Sequence, residues 1–272
     1  MDTISEYAVQ NLVAVRKKRP LVHSITNLVS INTVANALLA AGGAPVMAFA
    51  PEEAGEVAEH ADALVLNTGT LTENRLKAMQ IAGRRAASQG IPLAVDPVGA
   101  GISSFRARAV QEILTQLPVQ VLRGNPSEIL ALRQKKTDMA GVDAVHSMEQ
   151  ARRAAVEIAA EFGITVAVTG PVDLVTDGRR ALLVANGHAL LTRITGAGCT
   201  ATAMIAMFLA VASETLRSAA SALAYFGLAA EMAAESAQAP GSFWIRLLDV
   251  LYAMTPAEFA EGCRITTASI DR

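Results

Sequence analysis

The segment Thr195-Gly196-Ala197-Gly198-Cys199 has the composition of an anion-binding loop and precedes a long apolar stretch of helical character. Its small residues let a ligand approach the backbone, and the free N–H groups at a helix start attract negative charge. Cys199 would lie in that positive field, so we expect its thiol to have a lowered pKa and to act as a base or nucleophile. The alternative is an ordinary helix start that buries a small cysteine.

A second cluster, Arg123-Gly124-Asn125-Pro126-Ser127-Glu128, surrounds another predicted helix start. The i, i+3 spacing of Asn125 and Glu128 allows an amide oxygen and a carboxylate to converge on a hydrated cation, and Mg²⁺ prefers such oxygen ligands. Arg123 can bind a phosphate group. The alternative is structural, because Asn125 can cap the helix and Glu128 can complete a capping box.

Two further polar positions follow apolar runs. Asp96 ends one run just before Pro97, where burial without a partner is costly, and it can hold a metal-bound water or cap the next turn. Thr169 and Gly170 follow another run, where the threonine can hydrogen-bond a nucleotide or serve as an ordinary turn residue. The chain has no Gly-x-x-x-x-Gly-Lys-Ser/Thr motif and no Gly-x-Ser-x-Gly nucleophile elbow, which excludes a P-loop enzyme and argues against an α/β-hydrolase.

Apolar runs of β type alternate with alanine-rich helical patterns along most of the chain. The predicted strands are residues 21–25, 45–49, 63–66, 91–95, 119–122 and 164–168. The predicted helices are residues 3–18, 29–41, 52–60, 72–89, 104–117, 147–162, 199–236 and 241–253. Continuously hydrophobic strands, each followed by a helix, indicate a parallel sheet covered on both faces. Residues 173–193, with a turn at Asp177-Gly178, indicate antiparallel strands at one edge of that sheet.

These elements predict an α/β fold: a three-layer α/β/α sandwich with a mostly parallel central sheet and helices on both faces. We expect one domain over residues 1–272. In open sheets of this kind, ligands bind outside the carboxyl ends of the strands. That rule brings Asn27, Asn67, Asp96, Arg123 and Thr169 to a common edge. Turn preference alone does not explain polar or glycine-rich residues after five strands.

The composition limits the partners and the location of the protein. The chain has 272 residues, of which 52% are hydrophobic and 18% are charged, and this excludes a disordered chain. A formal net charge of −2 argues against nucleic acid as a partner, since phosphate binding needs a basic face. Two cysteines, and an N-terminal segment without the charge order of a signal peptide, lead us to expect a cytoplasmic protein. The uncharged residues 28–51 and 194–213 are too interrupted to span a membrane.

Taken together and in order, these segments resemble the hydroxyethylthiazole kinases of thiamine salvage, members of the ribokinase-like superfamily. The resemblance covers about residues 20–252. It rests on VHSITN (22–27), Asn32 and Asn36, APVM (44–47), NTGTL (67–71), DPV (96–98), RGNPSE (123–128), VTG (168–170), GAGC (196–199) and PGSF (240–243). The combination is highly specific, whereas no single segment would be.

The resemblance implies magnesium- and ATP-dependent phosphorylation of the primary alcohol of 4-methyl-5-(2-hydroxyethyl)thiazole. By position, Met47 and Gly196 contact the thiazole, and Asn27 lines the same pocket. Cys199 occupies the position of the catalytic base, where most ribokinase-like enzymes have Asp in a Gly-Ala-Gly-Asp motif. The backbone of residues 196–199 would stabilise the transferring phosphoryl group.

The same resemblance implies that Arg123 and Thr169 bind ATP, and that Asp96 and Glu128 organise magnesium and the phosphates, largely through water. It also implies a homotrimer whose active sites are shared between neighbouring subunits. Residues 28–51 are unusually apolar for one edge of a monomer, so we expect them to help bury that interface. The stretch after Met254 has no clear counterpart in the family pattern.

Cys199 favours the thiazole-kinase branch over the nearest alternatives. One alternative is another ribokinase-like kinase that acts on a hydroxymethylpyrimidine, pyridoxal or a sugar. Another is a nucleotide-dependent NAD(P)H-hydrate dehydratase, which would be expected to carry Asp at this position. A third is a non-catalytic nucleotide- or thiazole-binding regulator, and the joint presence of the phosphate, metal and base positions argues against it.

Overall fold

Helices and strands alternate along most of the chain. The structure is a computed structural model that describes residues 3–133 and 144–270. Its helices are α1 (Ile4–Lys18), α2 (Ile31–Ala41), α3 (Ala54–His60), α4 (Glu73–Ser88), α5 (Ser104–Gln116), α6 (Pro126–Arg133), α7 (Ala144–Phe162), α8 (Ala197–Leu209), α9 (Thr215–Ser236), α10 (Pro240–Ala253) and α11 (Pro256–Gly262). Its strands are β1 (Leu21–Ile25), β2 (Ala44–Val46), β3 (Ala63–Asn67), β4 (Leu93–Asp96), β5 (Val121–Gly124), β6 (Thr165–Val168), β7 (Asp173–Thr176), β8 (Ala181–Val184) and β9 (Ile265–Ala268). A short 3₁₀ helix covers Ala189–Arg193.

The strands form a nine-stranded sheet in the order β2-β1-β3-β4-β5-β6-β7-β8-β9. The first six strands in that order run parallel, and β7, β8 and β9 continue the sheet in antiparallel fashion. The prediction of a mostly parallel sheet with antiparallel strands at one edge is therefore confirmed. β2 and β9 are the two edge strands, and Pro45 is the middle residue of β2.

The predicted elements agree with the structure except at a few boundaries. The apolar run over residues 45–49 is a strand only as far as Val46, after which the chain leaves the sheet. The helical pattern over residues 199–236 corresponds to two helices, α8 and α9, separated by residues 210–214. The stretch after Met254 contains α11 and β9, which no sequence pattern predicted.

Side chains from the two faces of the sheet pack into two hydrophobic clusters. One cluster lies between the sheet and α1, α2, α8, α9, α10 and α11, and the other lies between the sheet and α3 to α7. On β3, Val65 belongs to the first cluster, whereas Leu64 and Leu66 belong to the second. Because both faces are covered by helices, successive strand residues must all be apolar, which explains the continuous hydrophobic runs.

Helix α8 crosses the first cluster and packs against β1, β3, β4 and β5. Every residue from Thr200 to Leu209 is buried. A helix that is apolar on all sides belongs in the interior of a protein, so this burial accounts for the uncharged residues 194–213. Within the described part of the chain, no helix has both the length and the apolar character that a membrane span requires.

Candidate active site

The polar residues that follow the strands meet at one edge of the sheet. Asn67 and Asp96 end the neighbouring parallel strands β3 and β4 and are partners in their register. Arg123 lies near the end of β5, and Thr169 follows β6, which is the next strand in the sheet. Helix α8 also begins at this edge: Cys199 in its first turn contacts Asn67, and Gly198 lies against Arg123. The sequence prediction that one edge collects these side chains is confirmed.

The loop before α8 has the backbone geometry that its glycines predict. Gly196 is the residue that precedes the helix, and its φ of 87° lies in the left-handed region, which favours glycine. No side chain caps this helix start. A Cβ atom added at Gly198 would lie 2.5 Å from Nη1 of Arg123, so the absence of a side chain lets the guanidinium lie against the helix N-terminus. The N–H groups of this turn and Arg123 therefore face the same space.

The thiol of Cys199 lies between two amides. The Nδ2 groups of Asn27 and Asn67 each donate to Sγ at 3.2 Å. Burial and the nearby charge of Asp96 raise the pKa of Cys199, and hydrogen bonds from Ser30, Asn27 and Asn67 only partly oppose them. The expectation of a lowered pKa was therefore wrong, because it considered the helix N-terminus but not the loss of water or the neighbouring carboxylate. At neutral pH the thiol is protonated in the free protein.

Asp96 is fully buried, and its two carboxylate oxygens differ in their partners. Oδ2 accepts hydrogen bonds from Asn67 at 2.8 Å and from Thr202 at 3.1 Å, and it lies 3.8 Å from Nη1 of Arg123. Oδ1 has no hydrogen-bond partner within the described residues. The carboxylate therefore does not cap the next turn, which was the structural alternative. A buried, unpartnered carboxylate oxygen fits a cation or its water, so the donor set is compatible with Mg²⁺.

Desolvation is also visible in the acidity of Asp96. Burial and the negative charge of Glu128 raise its pKa, the charge of Arg123 and the two side-chain hydrogen bonds lower it, and the result is a pKa of about 6. Burial is the largest of these influences. Buried carboxyl groups with such shifts are frequent at functional sites, although structural ion pairs also produce them.

Glu128 and Asn125 take the arrangement of the structural alternative. The amide of Glu128 donates to Oδ1 of Asn125 at 2.9 Å, and the amide of Asn125 donates to Oε2 of Glu128 at 2.9 Å. Oε1 of Glu128 accepts from the amide of Gly99 at 3.1 Å. The pair thus forms a reciprocal cap at the start of α6 rather than converging on one cation. Glu128 is close enough to Asp96 to raise its pKa, so a role near the metal stays a prediction.

A cavity of about 540 Å³ opens beside these residues. Arg123, Thr169 and Gly198 are among the residues that line it, together with the apolar side chains of Leu191, Leu223 and Phe226. The guanidinium of Arg123 donates to the hydroxyl of Thr169. The volume of the cavity, and its mainly apolar lining with a few polar groups, are those of a small-molecule site.

Asp173 is a residue of this cavity that the sequence did not single out. Its Oδ1 accepts from the amide of Gly170 at 2.9 Å and so closes the turn after Thr169. Burial raises the pKa of Asp173 to about 6, against the lowering effects of the Gly170 hydrogen bond and the charge of Arg123. The one available signal was an aspartate at the start of a strand-like piece. Its proximity to Arg123 depends on tertiary structure.

Asn27 and Gly196, two of the residues expected to form the thiazole pocket, lie beside Cys199. Oδ1 of Asn27 accepts from the amides of Val29 and Ser30, at 3.1 and 3.0 Å, and this fixes the loop before α2. A Cβ atom at Gly196 would lie 3.0 Å from Cβ of Ser30, so the two loops are adjacent. Met47 is partly buried and packs against the same hydrophobic cluster as Cys199.

His23 supports the Met47 segment, although the sequence gave it no role. Its Nε2 donates to the carbonyl oxygen of Ala48 at 2.6 Å, which holds the chain where it leaves β2. The imidazole is fully buried, and that burial lowers its pKa although the Ala48 hydrogen bond and the charge of Glu53 oppose the change. A neutral His23 can therefore position the main chain next to Met47.

Comparison with known proteins shows that the chain is similar to hydroxyethylthiazole kinases over most of its length. A profile of the "HK: Hydroxyethylthiazole kinase family" matches residues 12–257. The hydroxyethylthiazole kinase of Desulfotalea psychrophila is 47% identical over 272 residues, which cover 100% of both chains. The structure of a hydroxyethylthiazole kinase protein from Pyrococcus horikoshii OT3 superposes with a TM-score of 0.89 at 44% identity, covering 97% of this chain and 100% of that one. A ribokinase-like superfamily protein from Enterococcus faecalis V583, with a TM-score of 0.61 and 14% identity over 91% of this chain and 89% of its own, shares the fold.

The raised pKa of Asp173 predicts a pH-dependent cost to stability. Between pH 4 and 6 the folded protein holds a proton on Asp173 that the unfolded chain has released, so the free energy of unfolding falls as the pH rises through this range. Asp173→Asn removes the contribution of Asp173 to this fall, leaves that of Asp96, and keeps an oxygen for the Gly170 amide. Urea unfolding at pH 4.5 and 7.5 should show a wild-type loss larger than that of the variant by about 1–2 kcal/mol.

Asp177→Asn is a control, because the effect of Asp177 on the pH dependence of stability has the opposite sign to that of Asp173. Burial raises the pKa of Asp177, but hydrogen bonds from the Arg180 and Arg179 amides and the Arg180 side chain outweigh it, and the net pKa is lowered. Asp177 therefore contributes stability at neutral pH that is lost as the pH falls. Equal pH dependence in the wild type and Asp173→Asn would contradict the assignment to Asp173.

Proposed function

The chain belongs to the hydroxyethylthiazole kinase family, and from that premise we propose how its residues bind magnesium, ATP and thiazole and how its subunits assemble. The enzyme is a phosphotransferase that uses ATP to phosphorylate the hydroxyl group of hydroxyethylthiazole in thiamine metabolism. The observation that carries the proposal is the uncapped start of α8, whose residues Ala197 and Gly198 line the 540 Å³ cavity and are followed directly by Cys199. An acceptor at Cys199 and a nucleotide in the cavity can then meet at the same turn.

The nucleotide occupies the cavity beside α8. Arg123 and Thr169, which line the cavity and are hydrogen-bonded to each other, bind the phosphates. The apolar lining residues Leu191, Leu223 and Phe226 contact the adenine base. Phosphoryl transfer requires mainly positioning and charge neutralisation, and the free N–H groups of residues 197–199 stabilise the transferring group without having to reorganise.

Asp96 and Glu128 are the residues that would hold Mg²⁺. The unpartnered Oδ1 of Asp96 supports this role, and the capping hydrogen bonds of Glu128 favour contact through water. When bound, Mg²⁺ supplies positive charge that offsets the charge of the phosphate oxygens. Arg123 supplies a second positive charge at 3.8 Å from Asp96.

The thiolate form of Cys199 accepts the proton of the substrate hydroxyl. The amides of Asn27 and Asn67 hold its sulfur at the first turn of α8. The raised pKa means that little thiolate is present before substrate binds, and a neutral thiol cannot accept a proton, so the thiol must first release its own proton to water. A loose transition state tolerates a late transfer from the hydroxyl, because the alcohol need not be deprotonated early.

Asn27, Met47 and Gly196 form the thiazole pocket. Asn27 contributes a buried amide, Met47 contributes an adaptable apolar side chain, and Gly196 leaves room for the ring beside α8. A small aromatic alcohol needs only a modest apolar pocket of this kind.

The enzyme works as a homotrimer in the cytoplasm. Leu28, Val29 and Leu39 lie within residues 28–51 and are 61%, 64% and 54% exposed, an unusual exposure for large apolar side chains, and the first two directly follow Asn27. A neighbouring subunit that covers them would also border the thiazole pocket. Both cysteines are free thiols, which suits a reducing compartment.

The substrate assignment predicts a preference among alcohols. Purified enzyme with ATP and Mg²⁺ should phosphorylate hydroxyethylthiazole with a higher kcat/KM than hydroxymethylpyrimidine or pyridoxal, as measured by coupled ADP release. Removal of Mg²⁺ with EDTA should abolish turnover, and added Mg²⁺ should restore it. Efficient use of pyridoxal with no turnover of the thiazole would refute the assignment.

The base assignment predicts different outcomes for two substitutions. Cys199→Ala should lower kcat by about 10²–10⁴-fold and leave ATP binding intact, because the backbone donors and the metal site remain. Cys199→Asp should stay active, because a carboxylate can accept the same proton. Steady-state rates at several pH values, with Cys263→Ala as a control at the other free cysteine, measure this. A folded Cys199→Ala enzyme with wild-type rate and pH dependence would show that Cys199 is only a small residue at a helix start.

The assembly prediction concerns mass in solution. Light scattering should give about 85 kDa, three times the 28.4 kDa of one chain. Val29→Glu should lower this mass, whereas the same change at Val13, an exposed valine on α1, should not. The prediction is contradicted if the wild-type mass is near 28.4 kDa, or if Val29→Glu does not change the mass of the trimer.

A further inference from the structure

The C-terminal segment packs against one wall of the nucleotide cavity. The family profile matches only as far as residue 257, so most of α11 and all of β9 lie beyond it. β9 pairs with β8, with Ile265 opposite Val184. The chain then passes from β8 through residues 185–188 to the loop before α8. Asn186, Gly187 and His188 in that connection line the cavity, and residues 185–188 are the wall referred to below.

Asn186 joins this wall to the C-terminal segment by two hydrogen bonds. Its Oδ1 accepts from the amide of Arg264 at 2.8 Å, and its Nδ2 donates to the carbonyl oxygen of Gly262 at 2.9 Å. The side chain is 4% exposed, so these bonds are shielded from water. The conformation of Asn186 is thereby set by the last residue of α11 and by Arg264, which follows that helix.

Glu231 of α9 completes the connection. One of its oxygens, Oε1, accepts from the amide of Gly187 at 2.6 Å and also from the guanidinium of Arg264. The same guanidinium donates to the carbonyl oxygen of Ala185 at 3.0 Å. Arg264 therefore contacts the wall both directly and through Glu231.

Helix α9 leaves the wall no space to move toward it. Gly227, one turn before Glu231, also lines the cavity, and a Cβ atom added there would lie 2.6 Å from the backbone of Asn186. The wall is thus held between a helix that it touches directly and the C-terminal residues Gly262 and Arg264, which bond its polar groups. Among the described residues, the hydrogen bonds of the Glu231 and Arg264 side chains go to residues 185–187 and to each other.

We propose that Arg264 and Glu231 are positioning residues for the nucleotide: they hold residues 185–188 in the conformation that accepts ATP. This inference rests on the proposed function, in which the cavity is the nucleotide site. A wall fixed before binding saves the ligand the cost of ordering it, so loss of the Arg264 contacts should weaken ATP binding without changing the thiazole pocket.

The test compares Arg264→Ala with Arg264→Lys and Arg246→Ala. Arg264 and Arg246 are both about half-exposed, and each forms an ion pair, but Arg246 pairs with Asp249 within α10. Direct ATP titration by calorimetry, KM for ATP, KM for thiazole and thermal melting are measured for each variant. Arg264→Ala should weaken ATP binding about two- to fivefold, the range of an exposed ion pair, and Arg264→Lys should recover part of the loss. Thiazole KM and the melting temperature should match those of Arg246→Ala.

Two results would overturn the inference while leaving the proposed function intact. One is unchanged ATP affinity in Arg264→Ala. The other is an equal loss of ATP and thiazole affinity together with a lower melting temperature, which would make the contact merely structural. Failure of the wild-type enzyme to bind ATP would instead remove the proposed function, and the inference with it.

Discussion

Burial of the Asp96 carboxylate is the constraint around which the site is arranged. Transfer of a charged group out of water costs several kcal/mol, and neighbouring groups must offset that cost. Asn67, Thr202 and Arg123 all approach Oδ2, whereas Oδ1 has no partner among the described residues. An apolar residue at position 96 would avoid this desolvation cost and would make the folded protein more stable. The unmatched oxygen lowers the stability of the fold, and the proposed binding of a cation would account for it.

Asn67 transmits this constraint to the rest of the site. Its one amide nitrogen donates both to Asp96 and to the thiol of Cys199, so the carboxylate and the sulfur have a fixed relation. That relation depends on the parallel register that pairs Asn67 with Asp96. A shift of one residue between β3 and β4 would turn one of the two side chains to the other face of the sheet. The geometry of the first turn of α8 therefore depends on the register of two neighbouring strands.

Most of the fold and part of the site could be predicted from local sequence. Continuous apolar runs identified the six parallel strands, and the rule for strand ends brought Asp96, Arg123 and Thr169 to one edge. The acidity of Cys199 could not be predicted, because it depends on desolvation and on Asp96, about a hundred positions earlier in the chain. The capping of Glu128 and Asn125 was one of two interpretations of the same spacing, and only coordinates distinguish them.

The C-terminal strand and Asp173 escaped prediction for a related reason. β9 is short and only partly buried, so it lacks the continuous hydrophobic pattern that marked the central strands. Asp173 is unremarkable as a sequence position, and it becomes notable only because the fold sets it near Arg123. Local patterns report burial and turns, whereas partners distant in sequence are decided by the topology.

The edges of the sheet restrict how the molecule can associate. Pro45 lies at the middle of edge strand β2 and has no N–H group to offer, so this edge is a poor template for a strand of another molecule. The other edge, β9, is only four residues long. Copies of the chain are therefore discouraged from joining sheet to sheet into an open-ended fibril, and association is left to side-chain surfaces that can close on themselves.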